Sequence, residues 1–255
     1  MPLCRRAALA AAGAALSTLG ACSLLRGTSP IPMELLQDDR ACPVTRAPAL
    51  LVLLPGAHMA PDELLREGFV VAVSKRGLAV DVVVADSHQG YVQDRSVLKR
   101  LRDEVIAPAQ ALGYRQIWLA GISLGGFLAL SYAMRHPGDV TGLVTLAPYL
   151  GRRPLVQAMV AAGGPVAWRG TARPREADDL EHELWQWLSD LPADAPPLYL
   201  GYGSEDRFAD AHRLLATLLL PPRVRTAPGG HDWPAWRALW AAWLDSGVLA
   251  TACTR

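Results

Sequence analysis

Six short apolar runs punctuate the chain, at Ala49–Leu54, Val80–Ala85, Gln116–Ala120, Thr141–Leu146, Pro197–Gly201 and Arg223–Thr226. They are continuous and rich in β-branched residues rather than alternating, the pattern of strands covered by helices on both sheet faces. Helical periodicity separates them. Leu98, Leu101, Val105 and Leu112 recur opposite Lys99, Arg100, Arg102 and Asp103, which predicts an amphipathic crossover helix with that stripe in the core. Trp233, Trp236, Trp240 and Trp243 recur on a final helix, where such a stripe packs against a sheet. Strand and helix in alternation predict an α/β fold: a mainly parallel, doubly wound sheet of about six strands.

The rhythm breaks after Ala147-Pro148-Tyr149, so residues 149–196 form a candidate helical cap, with one helix marked by Leu180, Leu184, Trp187 or Leu188, and Leu191. Arg152, Arg153, Arg169, Arg173 and Arg175 in this insertion suit either an anionic substrate or a solvated face balanced by Glu176, Asp178, Asp179, Glu181 and Glu183. Upstream, Pro30, Pro32, Pro43 and Pro48 with little periodicity read as a tether over 22–48, and the domain as 49–250.

Arg5 and Arg6 precede an apolar stretch, Ala7 to Leu19, too short to span a bilayer stably, which reads as a secretory signal over 1–21. Leu19-Gly20-Ala21-Cys22 resembles the lipobox of bacterial lipoproteins. That resemblance implies a lipid-modified Cys22 anchoring the protein in the cell envelope, and Ser23 after it implies the outer membrane, facing the periplasm. With Cys4 removed and Cys22 acylated, Cys42 and Cys253 remain, either as one disulfide or as two free thiols.

With 255 residues and 51% apolar composition, the chain can bury one good core. Its 25 basic and 24 acidic residues nearly cancel, and no basic stripe interleaved with aromatics points to nucleic acid. No Cys-x-x-Cys, His-Glu-x-x-His or phosphate loop implies a metal or cofactor.

Chemistry enters at Gly121-Ile122-Ser123-Leu124-Gly125, which lies between a predicted strand and a helix through Phe127–Met134. This is the nucleophile-elbow pattern, with the serine at a sharp turn and glycines where neighbouring backbone passes close. A serine hydroxyl needs a base to remove its proton and an acid to orient that base. His231 follows the last predicted strand in Gly229-Gly230-His231-Asp232-Trp233, and Asp206 follows the one before; Glu205 and Asp86 are the other acids at strand ends.

The order Ser, Asp, His on such a pattern resembles the α/β-hydrolase superfamily over about Ala49 to Asp245. The histidine loop with Trp236 is similar to that of the esterase D and ferulic-ester hydrolase branch. The resemblance implies Ser123 as nucleophile, Asp206 as acid and His231 as base. It also implies an oxyanion hole from the N–H groups of Leu124 and Ala57, with His58 as the other candidate. The implied activity is hydrolysis of a carboxylic ester or related acyl bond, in a carboxylesterase, lipase or thioesterase, on a small-molecule substrate. The competing reading is a non-catalytic envelope binding or assembly protein on the same scaffold.

Overall fold

The computed structural model describes residues 32–38, 46–169 and 179–249. Cys22, Cys42, Cys253, Arg173 and Arg175 lie outside these residues, as do the signal segment and most of the tether. Among the described residues seven strands form one sheet: β1 Leu35–Asp38, β2 Ala49–Leu54, β3 Val80–Ala85, β4 Gln116–Ile122, β5 Gly142–Leu146, β6 Leu198–Gly203 and β7 Val224–Ala227. Their order is β1-β3-β2-β4-β5-β6-β7, all parallel except β1, which runs antiparallel to β3. The doubly wound α/β architecture is the one the apolar runs imply. Every residue of β2, β3 and β5 is buried, which is why their side chains do not alternate in polarity.

The edge strand β1 corrects the tether boundary. Leu35 to Asp38 pair with Ala85 to Val82, and Met33 is buried in the core. A four-residue edge strand that is only half-buried carries too short a pattern to be seen in sequence, and the prolines around it masked it further.

One sheet face carries α1 Pro61–Arg66, α2 Phe69–Ser74 and the long C-terminal helix; the other carries the remaining helices. The crossover after β3 contains α3 Gln89–Gln93, α4 Val97–Arg100, a π-helical segment Leu101–Ile106 and α5 Ala107–Ala111. Pro108 lacks an N–H for the carbonyl four residues back, and a widened turn before it accommodates the mismatch. The buried stripe of Leu101 and Val105 continues to Ala109, and Leu112, at the C-cap where the helix ends, is 56% exposed.

Beyond β4 come α6 Leu124–Arg135, then α7 Arg153–Ala161, α8 Pro165–Arg169 and α9 Leu180–Leu188 within the insertion, followed by α10 Ala209–Ala216 and α11 Trp233–Asp245. The helix α9 within the insertion packs its apolar side into the main core. Leu184, Trp185 and Leu188 are buried, Trp185 donates its indole N–H to the Leu150 carbonyl at 2.6 Å, and Glu183 pairs with Arg135 at the end of α6.

Candidate active site

The sheet order reverses direction at β2, with β3 on one side and β4 on the other, so the loops leaving β2 and β4 flank a crevice. The β4 loop is the elbow. Ser123 has φ 52° and ψ −113°, a conformation costing a non-glycine residue about 1–3 kcal/mol and held only by its surroundings. Those surroundings are explicit: Ser123 N–H donates to the Leu146 carbonyl at 3.0 Å, and Tyr149 N–H donates to the Ser123 carbonyl at 2.9 Å. Gly121 and Gly125 are required by contact. A Cβ on Gly121 would sit 2.2 Å from the Gly125 carbonyl, and one on Gly125 would sit 2.0 Å from the Leu54 carbonyl.

Ser123, His231 and Asp206 meet at this rim. His231 Nε2 lies 2.9 Å from Ser123 Oγ, and His231 Nδ1 lies 2.8 Å from Asp206 Oδ2. A carboxylate only accepts, so Nδ1 carries the ring proton and Nε2 presents its lone pair to the hydroxyl. Of the acids at strand ends, Asp206 is the one that reaches the imidazole. Glu205 is exposed, while Asp86 is buried after β3 and its N–H donates to Glu34.

The Asp206 side chain is fully enclosed. Burial works to raise its pKa, yet the hydrogen bonds from His231 and from Phe208 N–H, the latter at 2.8 Å, outweigh it and hold the carboxyl below its ordinary value. The acid and histidine loops touch backbone to backbone, since a Cβ on Gly203 would lie 2.3 Å from the Gly229 carbonyl. Asp232 accepts from Gly230 N–H and from Ala235 N–H, capping α11 and closing the histidine turn at once.

Two aromatic rings fix the imidazole edgewise: Phe208 at 5.1 Å and Trp236 at 5.0 Å. The tryptophan stripe is therefore mostly packing, with Trp236, Trp240 and Trp243 buried, but Trp236 also touches the site. Sequence periodicity predicts the first property and is blind to the second.

Leu124 N–H belongs to the first turn of α6, where helix N–H groups lack intrahelical acceptors. Ala57 sits in the tight turn leaving β2, closed by Met59 N–H on the Gly56 carbonyl at 3.2 Å, beside the elbow that Leu54 and Pro55 contact through Gly125. His58 in the same turn is exposed, with φ 63°. Ser87, which nothing in the sequence marks, donates its hydroxyl to the Pro55 carbonyl at 2.8 Å and braces this turn. Arg152 pairs with Asp179 and Glu181, and Arg169 with Asp190, so these two cap arginines are balanced by acids. Among the described residues no group of three or more His, Cys, Asp or Glu side chains converges as a metal site would.

A family model described as alpha/beta hydrolase fold matches residues 93–161. S-formylglutathione hydrolase from Staphylococcus aureus superposes with a TM-score of 0.55 at 15% identity, covering 86% of this chain and 99% of that one. Est1E from Butyrivibrio proteoclasticus with ferulic acid bound gives 0.54 at 16% identity, over 84% and 94% of the two chains. A monoacylglycerol lipase from Paleococcus ferrophilus gives 0.53 at 15% identity, over 85% and 98%. No curated protein matches the sequence. The chain has the α/β-hydrolase fold.

Proposed function

We propose that this protein is a serine hydrolase that cleaves a carboxylic ester or related acyl bond of a small-molecule substrate. The observation that carries the reading is the continuous hydrogen-bonded chain from Ser123 Oγ through His231 to Asp206, with its acid end enclosed. His231 takes the hydroxyl proton as Ser123 attacks the carbonyl carbon, and Asp206 stabilises the imidazolium that forms. The developing oxyanion is received by the N–H groups of Leu124 and Ala57. His231 then returns the proton to the leaving group, and water attacks the acyl-enzyme with the same imidazole as base. Structural neighbours named as an S-formylglutathione hydrolase, a ferulic acid esterase and a monoacylglycerol lipase support an ester or related acyl bond as substrate class.

The test is labelling of purified protein by a fluorophosphonate, with Ser123→Ala as control. The expected outcome is stoichiometric, Ser123-dependent labelling; folded protein that does not label belongs to the binding class instead. For the N-terminus we propose signal cleavage before Cys22 and lipid attachment there. Palmitate incorporation abolished by Cys22→Ala, and cleavage of the signal segment blocked by globomycin, are the expected results, and an unlabelled, freely soluble mature protein would defeat the proposal.

A further inference from the structure

Behind the acid lies a second histidine that the reaction does not use. His212 sits on α10 with no exposed surface, and its Nε2 is 2.9 Å from the Pro148 carbonyl oxygen. A carbonyl only accepts, so Nε2 carries the proton and Nδ1 is a bare lone pair. That Nδ1 is buried and finds no hydrogen-bond partner among the described residues. An apolar side chain would fill the space without stranding a nitrogen, so what histidine adds at this position is the donor at Nε2.

The two ends of this bond lead to opposite ends of the catalytic chain. Asp206 begins the unit to which His212 belongs: its carbonyl accepts from Ala209 N–H at 2.9 Å, its carboxylate accepts from Phe208 N–H, and the Phe208 carbonyl accepts from His212 N–H at 3.2 Å. Pro148 precedes Tyr149, whose N–H holds the Ser123 carbonyl, and a Cβ on Gly126 of α6 would lie 2.9 Å from the Pro148 ring. We propose that His212 is a positioning residue, a neutral donor that locks the Asp206 loop to the wall of the nucleophile elbow and so sets the acid's reach to His231. The inference rests on the catalytic reading of Ser123, His231 and Asp206.

Neutrality is part of the fit. The charged or titratable groups acting on His212 are Asp206, His231 and Arg213, and Tyr202 lies against its ring at 5.1 Å. Burial dominates these and pushes its pKa down to about 4, so near neutral pH no second imidazolium competes with His231 for the Asp206 carboxylate.

Glutamine and asparagine provide the test, because the Gln amide nitrogen occupies the place of Nε2 and the Asn amide nitrogen that of Nδ1. Ester turnover would be followed for His212→Gln, His212→Asn and His212→Leu across pH. We expect Asn and Leu to lower kcat about 10- to 100-fold with little change in KM, as a small displacement of a catalytic group does. Their acid limb should move to lower pH, because a loosened Asp206 stabilises the His231 imidazolium less. Gln should restore most of both. Equal behaviour of Gln and Asn, or a lowered Tm with wild-type kcat and pH profile in the folded fraction, would overturn the proposal; if Leu does not fold, the Gln–Asn comparison still decides. Fluorophosphonate labelling of the parent protein separates the two failures: a labelled parent with indifferent His212 variants sinks only this inference, and an unlabelled parent sinks the catalytic reading and this inference with it.

Discussion

At Asp206, burial and hydrogen bonding pull in opposite directions, and the bonds from His231 and Phe208 win. Asp206→Asn keeps the shape but presents the wrong partner to His231 Nδ1. It should lower kcat by about 10³–10⁴, whereas Glu205→Gln, on an exposed side chain, should leave turnover near the parent value in steady-state assays. His212 gives a second residue-scale expectation. Its folded pKa, about 4, lies below the ordinary 6.5, so the unfolded chain binds the proton first and the contribution is complete only above pH 6.5. As pH falls toward 4, stability should drop by up to about 3 kcal/mol from this group, and denaturant melts of His212→Leu should show a flatter decline over that window. The three residues of the hydrogen-bonded chain proposed as catalytic were legible as candidates because each follows a strand end in a turn-rich string. His212 and Ser87 were not, since their roles come from Pro148 and Pro55 carbonyls distant in sequence.

The elements themselves follow from the apolar runs with boundary shifts of one or two residues, as β4 and β6 extend past their predicted ends to Ile122 and Gly203. Continuous burial makes a parallel strand easy to see and its last residue hard to place. Gly203 shows what the extension does: it ends β6 where the histidine loop presses on bare backbone. Gly203→Ala must push the Gly229 and Gly230 carbonyls away, and should both lower Tm and disable turnover in the protein that remains folded. Two features escaped the pattern for physical reasons. The crossover helix ends at Ala111, which leaves Leu112 exposed at its C-cap, and the apolar side of α9, including Trp185, packs into the main core against α6.

Across the whole molecule, the sheet requires a segment that reads as linker. With β1 absent, β3 becomes an open edge and Met33 leaves the core, so a chain starting at Arg46 should melt well below one starting at Ser23, or aggregate. Equal melting temperatures by calorimetry would instead support a linker running to residue 48. The fold class was readable because an alternating α/β order admits few arrangements, and the convergence of three distant side chains follows from placing the strand carboxyl ends along one rim.

The enclosure of Asp206 has a spectroscopic consequence. Its side chain has no exposed surface and that of His231 is 9% exposed, so the hydrogen shared between them is shielded from bulk exchange. It should give a discrete far-downfield proton resonance that disappears in Asp206→Asn, a reporter of the resting site that requires neither a chromogenic reagent nor knowledge of the natural ligand.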